Sequence, residues 1–192
     1  MGDGIWGNDS VRTSAIDTVV SLYVGNQSIS DLTGIEDFVS LVHLVCHNNQ
    51  LTSLDVSNNI LLEELRCSGN QLTSLDVSQN IALNYLYFRD NQLTNIDVSQ
   101  NIALSYLNCH SNQLTTLDVS SNTTLTDLRC NNNALTSLDV STNTALNYLN
   151  CHFNQLTSLD VSANTFLIDL YCHDNQLTSL DVSANTNLTI LY

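Results

Sequence analysis

The sequence contains no proline and no lysine, and its 192 residues include only six glycines and one tryptophan. Without proline, no backbone N–H donor is missing, so a regular hydrogen-bonded repeat can continue along the whole chain. Without lysine, only four arginines oppose nineteen acidic residues, and the formal net charge is -15. This balance excludes nucleic-acid binding, which depends on neutralising phosphates with Lys and Arg, and it disfavours an anionic membrane surface.

Long apolar runs and catalytic motifs are also missing. No run approaches the roughly 20 apolar residues that a membrane-spanning helix needs, so we predict no membrane insertion. The first residues, MGDGIWGNDS, lack the basic and apolar regions of a secretory signal peptide. The sequence has no GxSxG motif and no phosphate loop. Each acidic residue or histidine that could serve in catalysis occurs as one of several repeated copies, whereas an active site needs one unique arrangement. We therefore predict no enzyme activity and no cofactor.

What the sequence does contain is one 21-residue pattern, LxCxxNQLTSLDVSxNxxLxx, written seven times between Leu44 and Asn185. Phe88 takes the place of cysteine in one copy, and the cysteines of the other copies are Cys46, Cys67, Cys109, Cys130, Cys151 and Cys172. A fixed period near twenty residues, carried by leucine and asparagine, predicts a leucine-rich-repeat solenoid. In such an array each coil buries its apolar residues against its neighbours.

Each coil contains two short segments in which apolar residues alternate. In one copy they are Leu65–Cys67, the LxC segment, and Leu75–Val77, the LDV segment. Alternation with a period of two predicts strands with one buried face, so we expect two short parallel strands per coil and two parallel sheets. We expect the repeated asparagines after each segment, such as Asn70 and Asn80, to bond backbone groups that the turns leave unpaired.

The two ends of the chain depart from the pattern. Leu22 precedes Leu44 by 22 residues rather than 21. We expect residues 1–40 to form an N-terminal cap and an atypical first coil, and residues 41–192 to form the repeat array. The sequence stops midway through a coil at Tyr192. This predicts an array that is open or truncated at its C-terminus, through which chains could associate end to end.

The repeat LxxLxCxxNxLxxLDVxxN resembles the IRREKO type of bacterial leucine-rich repeat, a 21-residue class in which both halves of the coil are alike. The stretch from Ile29 to Val39, with the sequence ISDLTGIEDFV, resembles the opening repeat of secreted Bacteroidota proteins and, more loosely, that of internalins. The resemblance covers about residues 20–192. It implies a protein that is secreted or displayed on the cell surface.

The cysteines are followed by histidine in several coils, as in Cys46-His47 and Cys151-His152. Strand alternation sends the two side chains to opposite faces, so a pair cannot hold one metal ion, and zinc-type spacings are missing. Parallel side chains on stacked coils also keep Cβ atoms farther apart than a disulfide favours. We therefore predict free, buried thiols.

The LDV segment repeats an outward aspartate, at Asp55, Asp76, Asp97, Asp118, Asp139, Asp160 and Asp181. Carboxylates on adjacent coils should repel one another, which predicts pKa values above the ordinary range and a fold that mild acid stabilises. Flanking hydroxyls could satisfy these carboxylates instead. Calcium is a weaker alternative, with Asp97, Asp118 and Asp139 as its candidate ligands.

The outward positions of the LxC segment vary from coil to coil, whereas the LDV half is nearly uniform. Tyrosine and arginine, which are frequent in binding hot spots, gather on the variable side. The candidate ligand-binding residues are Tyr85, Tyr87, Tyr106, Tyr148, Tyr171, Arg66, Arg129, His152 and His173. Drift on a solvated face is the alternative explanation of the variation.

Two hypotheses of function follow. The first is a non-enzymatic extracellular recognition or adhesion module that binds a protein or glycan through the variable LxC sheet. The second is a structural or surface-matching solenoid, including ice binding, that uses the regular threonine ladder beside the aspartates, namely Thr52, Thr73, Thr94, Thr115, Thr136, Thr157 and Thr178.

Overall fold

The computed structural model describes residues 16–192, which contain nine short parallel strands. The strands are β1 (Ser21–Tyr23), β2 (His43–Val45), β3 (Glu64–Arg66), β4 (Tyr85–Tyr87), β5 (Tyr106–Asn108), β6 (Asp127–Arg129), β7 (Tyr148–Asn150), β8 (Asp169–Tyr171) and β9 (Ile190–Leu191). They form one sheet in sequence order. Within residues 16–192 the only helix is the 3-10 turn Ile35–Asp37, and no helix is long and apolar enough to cross a membrane. The prediction of a leucine-rich-repeat solenoid with almost no helix is confirmed.

The pairing of the strands follows the repeat of the sequence. Leu44 of β2 lies opposite Leu65 of β3, a step of 21 residues that continues to β9. Leu22 of β1 lies opposite Leu44, so the longer first step is absorbed without breaking the sheet. The first part of the predicted cap, residues 1–15, lies outside the described residues.

The second predicted sheet does not form. None of the LDV segments between residues 16 and 192 is a strand. In one coil Ser78 N–H donates to Asp76 Oδ1 at 2.9 Å, which turns the chain directly after the segment. The next asparagine joins this coil to its neighbour, because Asn80 Nδ2 donates to the carbonyls of Val56 and Asn59 at 2.9 Å each. The prediction of two strands per coil is wrong in this respect, since side-chain amides there replace the backbone ladder.

The core consists of columns of identical residues stacked from coil to coil. Leu65, Cys67, Leu72, Val77 and their copies through the central coils are fully or almost fully buried. The cysteines are free thiols, as predicted. Burial raises the pKa of Cys46 and of Cys109 to about 12, so both remain protonated and unreactive at neutral pH.

Candidate binding face

We call the outward side chains of β1–β9, together with the residue after each cysteine, the LxC face. The central leucine of β2–β8 is buried, and it turns the residues on either side of it outward. Tyr85, for example, is 44% exposed although Leu86 beside it is fully buried. The asparagine three residues after each cysteine, or after Phe88 in the coil without one, fixes the turn that follows the strand. Asn91 Nδ2 donates to Phe88 O at 2.9 Å and to Cys67 O on the preceding coil at 3.1 Å.

Aromatic rings and guanidinium groups form a continuous stack along this face. We call it the Arg–Tyr ladder, and in order along the solenoid it comprises Arg66, Tyr87, Tyr106, Arg129, Tyr148, Tyr171 and Tyr192. The ring centroids of Tyr87 and Tyr106 lie 4.5 Å apart. The Arg129 guanidinium lies 5.3 Å from the Tyr106 centroid and 4.4 Å from the Tyr148 centroid, which links the two halves of the ladder.

Every inner tyrosine of the ladder has a neighbour on both sides. Tyr87 lies between the Arg66 guanidinium, at 4.5 Å, and the Tyr106 ring. Farther along, the Tyr171 centroid lies 5.6 Å from both the Tyr148 and the Tyr192 centroids. The ring faces therefore contact one another or a guanidinium, and the ladder offers ring edges and hydroxyls to a partner. Burial raises the pKa of Tyr106, so its hydroxyl remains a hydrogen-bond donor at neutral pH.

Acidic neighbours hold the arginines in position. Arg129 forms a bidentate pair with Asp127, with both N–O distances at 2.9 Å. Arg66 donates one hydrogen bond, from its Nε to Oε1 of Glu64, which lies two residues earlier on the same strand. Such exposed pairs contribute little to stability, but they orient each guanidinium over the adjacent tyrosine ring. Each acidic residue also neutralises the charge of its arginine, so the Arg–Tyr ladder carries little net charge on a strongly acidic molecule.

A second aromatic group lies where β7 and β8 end. The imidazoles of His152 and His173 stack with centroids 4.5 Å apart and planes 8° from parallel. Phe153 meets them edge-on, with centroid distances of 5.2 and 5.9 Å respectively. Burial lowers the pKa of His152, which favours its neutral form.

The predicted binding residues lie together on the LxC face. Six of them are in the Arg–Tyr ladder, and Tyr85 lies beside it, 6.4 Å from Tyr106 between ring centroids. His152 and His173 form the separate stack. Sequence reasoning missed Tyr192, although its position 21 residues after Tyr171 indicated that it extends the same column. It also missed Phe153, which follows the histidine position in a turn.

The aspartates of the LDV segments lie on a different side of the coil and are exposed. The prediction that repulsion raises their pKa values is wrong. The backbone N–H and then the hydroxyl of Ser99 hold the pKa of the Asp97 carboxyl below its usual value. At Asp118, Ser120 has the same effect and outweighs the repulsion by Asp97. Within residues 16–192, no three His, Cys, Asp or Glu residues are placed to hold a metal ion together.

Stability should consequently fall, not rise, in acid. An aspartate whose folded pKa lies below its unfolded value of about 3.8 stabilises the fold above that pH and loses this contribution as pH falls through the folded pKa. His152 acts in the same direction, because its pKa is lowered from 6.5. We expect the melting temperature to fall slightly below about pH 6.5 and steeply below about pH 4. Thermal melts of the wild type and of Asp97→Asn measure this, since asparagine accepts the same N–H without titrating. A melting temperature that rises from pH 7 to pH 5 would contradict the expectation.

The repeats are similar to those of internalins. No family model matches the chain. Internalin J of Listeria monocytogenes serotype 4b (strain F2365) is 47% identical over 51 residues, which are 27% of this chain and 6% of that protein. The solved functional domain of InlJ from Listeria monocytogenes, which includes a cysteine ladder, has a TM-score of 0.92 and 47% identity. That match covers 93% of this chain and 40% of the InlJ chain, so the chain spans less than half of either relative.

Two more distant structures share the fold alone. Internalin C2 of Listeria monocytogenes has a TM-score of 0.88 at 23% identity, over 93% of this chain and 84% of its own. The leucine-rich-repeat ectodomain of the plant receptor kinase GASSHO1/SCHENGEN3 from Arabidopsis thaliana, solved in complex with CASPARIAN STRIP INTEGRITY FACTOR 2, has a TM-score of 0.81 at 24% identity. This match covers 90% of the present chain and 23% of the ectodomain. The chain thus folds as a leucine-rich-repeat solenoid that is similar to those of internalins.

Proposed function

We propose that the protein is a non-enzymatic, extracellular recognition module that binds a protein partner through the LxC face. The observation that carries this proposal is the Arg–Tyr ladder, a continuous stack across seven coils of the residue types that dominate binding hot spots. Internalins and the plant ectodomain, which was solved with a bound factor, support a recognition role in general.

The ladder suits binding because its side chains are already ordered. Tyr106, for example, contacts Tyr87 and Arg129 before any partner arrives. Fixing flexible side chains opposes association, so a stacked array loses less conformational entropy than isolated exposed rings would. The different residues on successive coils give the face an irregular pattern that can discriminate between partners.

The resemblances also support a wider proposal about the chain. They favour a secreted or surface-displayed protein, related in its opening repeat to Bacteroidota proteins. We also propose that residues 1–40 form a cap together with an atypical first coil and that residues 41–192 form the repeat array. End-to-end self-association would use the exposed edge at Leu191 and Tyr192, which are 48% and 67% exposed. A glycan is the other class of partner that the same face could receive.

Surface matching through the threonine ladder, including ice binding, is the second candidate function. Thr94, Thr115, Thr136 and their copies are all exposed, as that function needs. The segment they precede is not part of a sheet, however, and each coil adds an ionised aspartate beside them. A regular, flat array that matches a crystal surface is therefore less well supported than the LxC face.

The two candidates make opposite predictions about which variant loses binding. A displayed library of random peptides is selected on the wild-type protein, and the affinities of the selected peptides are measured against two triple variants. We expect replacement of Tyr85, Tyr87 and Tyr106 by alanine to weaken binding about 100-fold, because it removes two tyrosines of the ladder and the exposed ring beside them. The matched variant, with alanine at Thr94, Thr115 and Thr136, should bind like the wild type. Loss of binding in the threonine variant alone, or ice shaping that depends on those threonines, would favour the second function.

A further inference from the structure

Phe153 occupies a backbone position that every other regular coil gives to a small or polar residue. Its φ is 50°, in the left-handed region, and its side chain is 51% exposed. The equivalent residues, all with φ between 53° and 64°, are Asn48, Gly69, Asp90, Ser111, Asn132 and Asp174. Glycine, asparagine and aspartate tolerate this conformation, whereas a bulky aromatic residue does not. Exposing an apolar ring to water is also unfavourable. Folding alone therefore favours asparagine at this position.

The surroundings of Phe153 are ordered rather than loose. His152 and His173 stack on each other and both contact the phenylalanine ring. Asn150 Oδ1 contacts His152 Nδ1, which fixes the orientation of that imidazole. The backbone holds the same geometry, because Phe153 N–H donates to His173 O on the next coil at 3.2 Å. The exposed ring is thus presented on a rigid support.

Phe153 also offers what the Arg–Tyr ladder lacks. The faces of Tyr87 and Tyr106 contact neighbouring groups, so the ladder presents edges and hydroxyls. An apolar side chain of a partner finds no open ring among the inner tyrosines of the ladder. Phe153, at the edge of the same face where β7 ends, is a large apolar group that projects half-exposed into solvent. Apolar anchors of this kind supply most of the affinity in many interfaces.

The charge around Phe153 identifies the kind of partner. Asp174 takes the same position on the next coil, where His173 Nε2 lies 3.7 Å from its Oδ2. The whole chain has a formal net charge of -15. A complementary partner carries positive charge beside its apolar group, which polypeptides provide through Lys and Arg and which common glycans do not.

We propose that Phe153, with His152 and His173 beside it, is the anchor of the partner contact and receives an apolar side chain of a polypeptide that carries Lys or Arg next to it. This inference rests on the proposed function, because it assigns the partner class and the principal contact of the same face. The strained and exposed phenylalanine is retained for binding, at the expense of local stability.

The test compares two phenylalanines that are similarly exposed. Phe166 is 63% exposed but lies outside the LxC face, in the turn after an LDV segment. A displayed library of random peptides is selected on the wild type, and each selected peptide is measured against Phe153→Asn and Phe166→Asn. We expect at least about tenfold weaker binding to Phe153→Asn and unchanged binding to Phe166→Asn. The selected peptides should be enriched in large apolar residues next to Lys or Arg. Phe153→Asn should melt at or above the wild-type temperature, since asparagine suits the left-handed backbone.

Several results would overturn the inference. The library could yield no peptide above background, or the selected peptides could bind Phe153→Asn as tightly as the wild type. Enrichment of acidic peptides would also contradict it. A melting temperature of Phe153→Asn below that of the wild type would make Phe153 a structural residue. Binding to a glycan array alone, lost in Phe153→Asn, would show that the partner class is wrong. If peptides lose affinity for the tyrosine triple variant but not for Phe153→Asn, the proposed function holds and this inference fails. If they lose affinity for the threonine triple variant alone, the proposed function itself fails.

Discussion

Replacing Asn91 with alanine should destabilise the fold by about 3 kcal/mol, although the change removes only one small side chain. The Asn91 amide donates to the carbonyls of Cys67 and Phe88 at 3.1 and 2.9 Å. Its oxygen accepts Leu72 N–H at 3.0 Å. These groups lie on two adjacent coils and are buried. Alanine would remove both donated bonds, although the carbonyls of Cys67 and Phe88 would each keep one bond, from Asn70 and Asn112 respectively. It would also leave the buried Leu72 N–H without a partner, which costs more than a hydrogen bond itself contributes.

Urea unfolding followed by circular dichroism measures this effect. Gln92→Ala is the matched control, because Gln92 carries the same amide but its side chain is exposed, and we expect a change within about 0.5 kcal/mol. Equal destabilisation by the two variants would show that the asparagine column is not what joins the coils. If unfolding loses cooperativity in Asn91→Ala, the affected coils unfold separately from the rest, as a linear array permits.

Replacing Leu107 with alanine should have a comparable or larger effect, a loss of about 3–4 kcal/mol. Leu107 is the central residue of β5, is fully buried, and has Leu86 and Leu128 on the strands to either side. Its truncation removes apolar contacts with both neighbouring coils and leaves a cavity between them. The turns on either side are fixed by their asparagines, so the backbone cannot easily collapse to fill the space.

The exposed Ile102 provides the control for Leu107. This side chain is 62% exposed although it lies only five residues earlier in the chain. Ile102→Ala should change the free energy of unfolding by less than about 0.5 kcal/mol. A small effect at Leu107 would indicate that neighbouring coils repack around the cavity, which the regular columns of the core argue against.

Much of the fold could be predicted from the sequence because the same residues recur at the same step. Leu44, Leu65 and Leu86 are 21 residues apart, and the structure aligns them in one column. Burial of the cysteines followed from their position two residues after these leucines. Periodicity reports which side chains point inward, and it does so reliably when the pattern is repeated seven times.

Periodicity does not report which backbone groups pair. Leu75 and Val77 alternate with exposed Asp76 as a strand would, yet the segment that contains them joins no sheet. The deciding interactions are the side-chain bonds of Asp76 to Ser78 and of Asn80 to the preceding coil. The same serine bonds invalidated the expectation of raised aspartate pKa values. Both errors came from treating side chains as if their local hydrogen bonds were absent.

The candidate site was predictable by position but not by contact. Strand alternation and the variation between coils predicted that Tyr87, Arg129 and the other variable residues face outward together. It did not indicate that Arg129 lies between two tyrosine rings, because stacking depends on side-chain rotamers on adjacent coils. Phe153 was missed for a different reason. Its importance lies in a left-handed backbone position, which becomes visible only when the φ angles of equivalent turns are compared.

The order of the strands has a mechanical consequence. Because β1 to β9 pair strictly with their neighbours in sequence, the hydrogen bonds between coils lie along the solenoid axis. A pulling force applied at the two ends therefore acts on the terminal coil first, and coils detach one after another instead of sharing the load. Each detached coil of 21 residues would release about 70 Å of extended chain. A solenoid of this kind would lengthen in small steps under tension while the remaining coils kept their shape.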